Sequence, residues 1–392
     1  MHAHLGGSIV VCAPTLRPQG RISIERLRRV LDDTAHLVPA AGAARWEANT
    51  VRLGRASATF LSASPLAHVA GHTASIALIA DEAQDIEVEW FERQFRPMAA
   101  STGAPTVLFG TPWDGRSLLD RAVAANRRRD QDRQRLASAV PLHYEVSWRD
   151  VAASRPAYGA YVRQQRAWLG ANHPLFRTQY ELRTAGDARR LLSAAQLARI
   201  DGSHPRLAGP LPGERYVAGL DLAGGGPGGD ASVLTVGRAA AGRCEVVEHT
   251  AWHAQPYDDV IGAVVALARR WGLERLAVDA TGLGGPLAAR LADELGPVVE
   301  PVTFTTAVKS DLGFALQAAA ETGRLAVYAD DGSADARAVR AELAACGASL
   351  APGRRLQWGN DRGHDDYVAS LALCLRAAQS LGRPRVAVGR AR

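Results

Sequence analysis

The sequence predicts an α/β protein of two domains, and three observations carry that prediction. The first half alternates short apolar strands with helical stretches, the second runs three apolar strands and then alternates helices with strands, and a dense cluster of turn formers separates them. At 392 residues the chain also exceeds the roughly 250–300 residues beyond which single hydrophobic cores stop growing.

In the first half, residues 9–13, 59–62, 76–80 and 106–109 read as strands and 22–31 as an amphipathic helix. Residues 126–135, N-R-R-R-D-Q-D-R-Q-R, mix both signs of charge at helical spacing, which fits either a solvated helix face or a contact to DNA. Residues 156–192 are expected to be helical and arginine-rich, with Trp168, Phe176 and Tyr180 as packing anchors. Asp201-Gly-Ser-His-Pro and Gly209-Pro-Leu-Pro-Gly213 then collect turn formers and breakers. The expected organisation is therefore a first domain over 1–200, a linker over 201–214 and a second domain over 215–392.

The second domain opens with strands at 216–222, 231–237 and 244–250, joined by short turns as in a meander. A helix over 256–271, a strand over 273–279, a helix over 283–295, a strand over 298–304 and a helix over 310–322 follow. Three antiparallel strands and then alternating helices and strands is the order of a ribonuclease-H-like core.

Composition narrows the class. With 47% hydrophobic and 22% charged residues the chain is ordinary globular material. No apolar run approaches the length of a membrane span and no secretory signal opens the chain, so the expectation is a soluble protein of the host-cell cytoplasm, with no membrane partner. Cys12, Cys244, Cys346 and Cys374 are scattered without a C-x-x-C pair, which argues against a zinc site or a disulfide framework and for reduced, mostly buried thiols. A net charge of +6 fits a polyanionic partner. Lys309 is the only lysine, so nearly all of the basic charge is arginine.

Four aspartates carry the chemistry. Asp221 ends the apolar run Tyr216-Val-Ala-Gly-Leu220, Asp279 ends Arg275-Leu-Ala-Val278, and Asp365-Asp366 open the apolar-striped 367–375. A strand that ends in Asp projects a carboxylate past the sheet edge, and an Asp pair at a helix start can face the same spot. Hard carboxylate oxygens suit Mg²⁺ or Mn²⁺, and two such ions about 3.5–4 Å apart can activate a water and stabilise the leaving oxygen of a phosphodiester. Read singly, each Asp is an ordinary cap or turn residue; the ordered set points to a metal centre. Asp230, at the end of the glycine-rich 222–230, could reach back as an auxiliary acid, and Ala280-Thr-Gly-Leu-Gly-Gly285 would let a nucleic-acid backbone approach closely. In 365–375 either Asp365, in line with Val368, Ala372 and Leu375, or Asp366, in line with Ala369 and Leu373, could point at the metals. His364 suits a turn or a cap, and Lys309 could pair with an acid, contact a phosphate or stand free on the surface.

The first half carries a second pattern. Ile76-Ala-Leu-Ile-Ala-Asp81-Glu82 is a buried strand ending in two acids, the form of a Walker B motif, in which the Asp holds Mg²⁺ on the nucleotide and the Glu polarises the attacking water. Thr106-Val-Leu-Phe-Gly110-Thr111-Pro112 follows as a strand ending in a polar loop that can sense a γ-phosphate. A phosphate loop of the form G-x-x-x-x-G-K-[ST] needs a lysine, and none stands in the first half. Leu5-Gly-Gly-Ser8 leads straight into Ile9-Val-Val-Cys-Ala-Pro-Thr15, which looks like the second strand of an ATPase core whose first strand and phosphate loop lie upstream.

Together these residues resemble the large terminase subunit of tailed bacteriophages and prophages, the motor-nuclease that packages DNA into capsids. The resemblance spans nearly the whole chain through A-P-T at 13–15, L-I-A-D-E-A-Q at 78–84, G-T-P-W at 110–113, G-L-D-L-A at 219–223, V-D-A-T-G at 278–282 and H-D-D-Y-V-A-S-L-A-L at 364–373. It implies a partial P-loop-type ATPase domain, with a lid-like helical part from about residue 126, followed by a ribonuclease-H-like endonuclease that cuts concatemeric viral DNA with two Mg²⁺ or Mn²⁺ ions. By position Asp81 and Glu82 take the Walker B roles and Gly110 to Pro112 the coupling loop. Asp221, Asp279 and Asp365 or Asp366 take the nuclease metal roles. The partners it implies are double-stranded DNA, a small terminase subunit, the portal protein of the procapsid and, as a ring, further copies of the chain. ATP enters only if the missing phosphate-loop segment is supplied, so an impaired motor beside an intact nuclease is expected. Two alternatives stay open: a transposase or resolvase-type nuclease with the same acidic core, and a catalytically idle DNA-binding or capsid-docking prophage remnant.

Overall fold

The computed structural model of the chain describes residues 6–34, 36, 44–69, 71–134, 140–185, 189–222, 231–240, 242–351, 353–360 and 363–381. The chain divides into two compact units, one of Met1–Gly159, Arg177–Gly186 and Pro352–Arg354, the other of Ala160–Phe176, Asp187–Ala351 and Arg355–Arg392.

The first unit is built on strands β1 (Gly6–Ala13), β2 (Arg45–Glu47), β3 (Thr50–Leu53), β4 (Arg55–Ser62), β5 (Ala77–Ala80) and β6 (Thr106–Leu108), in the order β2-β3-β4-β1-β5-β6. From β4 through β1 and β5 to β6 the strands run parallel, and β2 and β3 add an antiparallel edge. A parallel sheet must be covered on both faces, and the alternation in β1 shows how. Val10 and Cys12 enter one core with Leu78, Phe91 and Phe95, while Ile9 and Val11 pack on the opposite face against Val51, Phe60 and Leu31. Helices α1 (Arg21–Asp33), α2 (Val88–Trp90), α3 (Arg96–Ala100), α4 (Leu118–Gln134) and α5 (Trp148–Ser154) accompany the sheet. The charged stretch from Asn126 lies on α4 as expected, as far as that helix extends.

Helices α6 (Pro156–Leu169), α7 (Pro174–Gln179) and α8 (Ala194–Ile200) follow. Helix does not persist to residue 192 as expected. Leu182 adopts a left-handed φ of 52°, Arg190 bridges to Gly347, and Leu191 N–H donates to Cys346 O at 2.9 Å, so this backbone finds strand-like partners instead of helical ones. Of the expected anchors, Phe176 is fully buried and Tyr180 is half-buried. Trp168 is 48% exposed, with the Arg324 guanidinium 3.8 Å above its ring, so it serves as a cation platform and not as core. The expected linker over 201–214 lies inside the second unit, where Gly202 N–H donates to Val327 O at 2.8 Å and Leu207 N–H to Val247 O at 2.9 Å.

The second unit holds β7 (Tyr216–Asp221), β8 (Ser232–Ala240), β9 (Arg243–Trp252), α9 (Tyr257–Trp271), β10 (Leu273–Asp279), α10 (Gly284–Leu295), β11 (Val299–Val302), α11 (Thr306–Glu321), β12 (Leu325–Val327), α12 (Ala334–Ala345), the hairpin β13 (Gly347–Ala351) and β14 (Arg355–Gly359), and α13 (Asp366–Ser380). Its sheet order is β11-β10-β7-β8-β9-β12. The meander β7-β8-β9 is antiparallel, and β10 and β11 add parallel to β7. Strand β12, helix α12 and the β13–β14 hairpin were not anticipated, being too short or too polar to display a period. The four cysteines are all buried, as expected, and none is bridged in the structure.

Two buried histidines set an acid limit on stability. His173 Nε2 faces Phe314 O at 3.0 Å and its Nδ1 accepts Leu175 N–H at 3.2 Å, which fits the neutral ring protonated on Nε2. Burial lowers its pKa from 6.5 to about 4, and burial with Arg206 and Arg340 lowers that of His249 to about 3. Because the folded pKa values are depressed, the stability each ring contributes is complete above pH 6.5 and is lost as pH falls toward them. For His173 this amounts to ~3 kcal/mol. The urea midpoint is expected to fall between pH 6.5 and 5, more steeply in the wild type than in His173→Gln. Identical slopes for the two would refute the assignment.

Candidate functional site

The period of two in the second sheet decides where its acids point. Tyr216, Ala218 and Leu220 of β7 and Leu276 and Val278 of β10 enter one core with α9 and α10. The intervening residues, Gly219 and Asp221 on β7 and Ala277 and Asp279 on β10, therefore face the opposite side, where α13 lies. The parallel register pairs Leu220 with Val278, so both carboxylates leave the sheet at the same edge.

Helix α13 is seated on that face by close approach. A Cβ on Gly219 would come within 2.1 Å of Ser370 O and 2.2 Å of Cys374 N, so only glycine lets the helix backbone lie on β7. Thr235 Oγ1 meets Ser370 Oγ at 2.7 Å. One turn before Ser370, Asp366 falls on the same helix face, where it is buried and its Oδ2 accepts Ala231 N–H at 2.7 Å. Asp365, at the N-cap, stands with Oδ2 3.4 Å from Lys309 Nζ. The lysine in turn lies 4.7 Å from the centre of the Trp358 ring. Asp279 Oδ1 accepts from Thr281 N (2.8 Å) and Thr281 Oγ1 (2.5 Å), and that hydroxyl oxygen also accepts Phe304 N–H at 2.8 Å.

The electrostatics register this convergence. Burial first, then Asp366, Asp279 and Asp365, hold the Asp221 carboxyl well above the ordinary aspartate range, with Lys309 the opposing charge. Glu342 on α12 accepts Tyr367 N–H at 2.8 Å and is pushed up to about 7, chiefly by burial. Among the described residues no three His, Cys, Asp or Glu side chains stand together at metal-ligand spacing. Asp365 is turned to Lys309 and Asp366 to Ala231, so the four acids share one field without closing a cage. An excess of buried negative charge on hard oxygen donors is nonetheless what a divalent cation fits. Asp230 lies outside the described residues. Sequence reasoning did not single out Glu342 or Asp335, whose Oδ1 accepts the Tyr367 hydroxyl at 2.6 Å. Both sit on a short helix with no motif of its own.

The first unit gathers the other expected residues. Asp81 Oδ2 accepts from Ser23 Oγ at 2.8 Å, and Glu82 follows in a left-handed conformation at φ 51°. Gln84 joins this strand end to the Gly110–Thr111 loop: its Nε2 donates to Glu82 Oε2 at 2.6 Å and its Oε1 accepts Thr111 N–H at 3.1 Å. The Thr111 hydroxyl is buried without a hydrogen-bond partner among the described residues.

No family model matches the chain, and neither does any curated protein. Solved structures do. The large terminase from a thermophilic bacteriophage, in complex with ATP-γ-S, aligns over 95% of this chain and 86% of its own, with a TM-score of 0.54 at 13% identity. A second crystal form of that phage protein covers 96% and 86%, with a TM-score of 0.53 at 12% identity. The large terminase nuclease from thermophilic phage G20c, with bound magnesium, aligns over 48% of this chain and 97% of its own at a TM-score of 0.40 and 22% identity. The chain thus has a mixed α/β fold, with one six-stranded mixed sheet in each of its two units. It is the two-domain fold of the phage large terminases.

Proposed function

We propose that the chain is a large-terminase-type endonuclease that cuts concatemeric viral DNA at a two-metal centre held by Asp221, Asp279, Asp365 and Asp366. The observation that carries this reading is the arrival of two strand-end carboxylates and one helix-start pair at a single sheet edge, with Asp221 held above the ordinary range by burial and its three acidic neighbours. When bound, two divalent ions supply a lowered pKa for water and charge compensation for the leaving oxygen. The chain's own residues orient the ligands. Thr281 fixes one Asp279 oxygen, Ala231 N–H fixes one Asp366 oxygen, and Lys309, steadied on Trp358, offers a cation to the substrate phosphate. Leu283, exposed at the start of α10, and the small residues around it leave room for a DNA backbone. The arginine-rich composition and net charge of +6 suit that polyanion.

In the same reading Asp81 and Glu82 serve nucleotide-bound Mg²⁺ and the attacking water, and Gln84 relays their state to the Gly110–Thr111 loop. ATP-driven packaging then depends on a phosphate loop of the form G-x-x-x-x-G-K-[ST], which does not occur in the 392 residues. The small terminase subunit, the portal and further copies of the chain would be its assembly partners. The test is cleavage of supercoiled plasmid by the purified protein with Mn²⁺, with Mg²⁺ and with EDTA, beside Asp221→Ala. Metal-dependent nicking and linearisation lost in the variant is the expected result. DNA retention without cutting by a folded protein would favour the idle remnant instead.

A further inference from the structure

We infer that Glu342 is a positioning residue for the carboxylates at the start of α13, an inference that rests on reading this edge as a metal-dependent nuclease centre. The first N–H groups of a helix lack partners within it, and an Asp at the N-cap ordinarily accepts one of them. Asp365 occupies the N-cap of α13, yet its side chain makes no cap hydrogen bond and points to Lys309. The capping is done from another helix. Glu342 Oε2 accepts Tyr367 N–H at 2.8 Å and Val368 N–H at 3.4 Å.

One face of α12 grips the first turn of α13. Asp335 and Glu342 are two helical turns apart on that face. The Tyr367 hydroxyl donates to Asp335 Oδ1 at 2.6 Å, and Arg206 Nη2 donates to Asp335 Oδ2 at 2.9 Å. The Tyr367 ring packs 5.5 Å from His249. Tyr367 is thereby fixed at its amide, its hydroxyl and its ring, and Asp366, its chain neighbour, is fixed with it. Because Glu342 satisfies the helix end, the Asp365 carboxylate is released from capping and faces a cation instead.

The inference separates a bond from a charge. Glu342→Asp keeps the charge but is one methylene too short to reach both amides, whereas Glu342→Gln keeps the reach and an acceptor oxygen without the charge. Two readouts on the full chain apply: hydrogen exchange of the Tyr367 and Val368 amides without metal, and Mn²⁺ affinity by calorimetry. Glu342→Asp is expected to speed exchange at both amides about fivefold and to weaken Mn²⁺ binding by a similar factor. Glu342→Gln is expected to stay within about twofold of wild type in both. The reverse ranking, or no change in either variant, would overturn the inference. Neither readout needs DNA cleavage, so an uncut plasmid with wild-type protein would sink the nuclease reading alone.

Discussion

Asp221→Asn is expected to abolish metal-dependent cutting while making the metal-free protein more stable. The loss of activity, at least about a thousandfold in rate, follows from removing the carboxylate at the centre of the acidic field. The gain in stability follows from the sign of its perturbation. Asp221 is raised by burial and by Asp366, Asp279 and Asp365, so its contribution to stability is complete below the unfolded aspartate pKa and is lost as pH rises through the folded one. Above the unfolded pKa, keeping this carboxyl buried among three other acids opposes folding, and an isosteric amide removes that opposition. In EDTA the variant should melt above the wild type. Mn²⁺ should raise the wild-type midpoint and leave the variant unmoved. An Asp221→Asn protein that melts lower in EDTA, or still cuts, would remove the electrostatic argument for a metal centre.

Gly219→Ala is expected to be the most disruptive single-methyl addition in the second unit. The new Cβ would lie 2.1 Å from Ser370 O and 2.2 Å from Cys374 N, both backbone atoms of α13, which cannot rotate aside. The helix must lift from β7, at about 3 kcal/mol or more, and Asp366 lifts with it. Cutting should therefore fall even in protein that remains folded. Gly237 supplies the control, because a Cβ there would meet the sulfurs of Cys244 at 2.7 Å and Cys374 at 2.8 Å. Cys374→Ala should relieve part of the damage of Gly237→Ala, the Cys244 contact remaining, and none of that of Gly219→Ala, read as urea midpoints. Relief at both positions would show that the contact at Gly219 is not with the helix backbone.

Much of this arrangement was legible in the residues. The apolar run Tyr216 to Leu220 ends in Asp221 and the strand stretch Arg275-Leu-Ala-Val278 ends in Asp279, and a strand's register does the rest, since Leu220 opposite Val278 brings Asp221 beside Asp279. Asp365 and Asp366 were legible as a helix start but not as distinct, because a helical period leaves both able to face the sheet. Their separation came from partners far along the chain: Ala231 N–H on Asp366 and Lys309 on Asp365. Glu342 and Asp335 were illegible for the same reason, lying on a helix of 12 residues whose role is set entirely by what it touches. Trp168 misled because a large aromatic at helical spacing reads as core, whereas Arg324 holds it at the surface. The expectation of helix to residue 192 failed where backbone partners came from the segment around Cys346 and Gly347.

On the proposed function, the seating of α13 on Gly219 also bears on when the chain could first cut DNA. A ribosome delivers Asp221 and Asp279 long before Asp365 and Asp366, and the sheet edge bearing the first two can form without them. Until the last of the described helices emerges and settles onto β7, a nascent or truncated chain carries half of the acids and nothing to bring a second pair to them. On the proposed function, cutting competence thus belongs to the fold with α13 seated on β7, and a polypeptide stopped short of residue 365 should leave the DNA around it uncut.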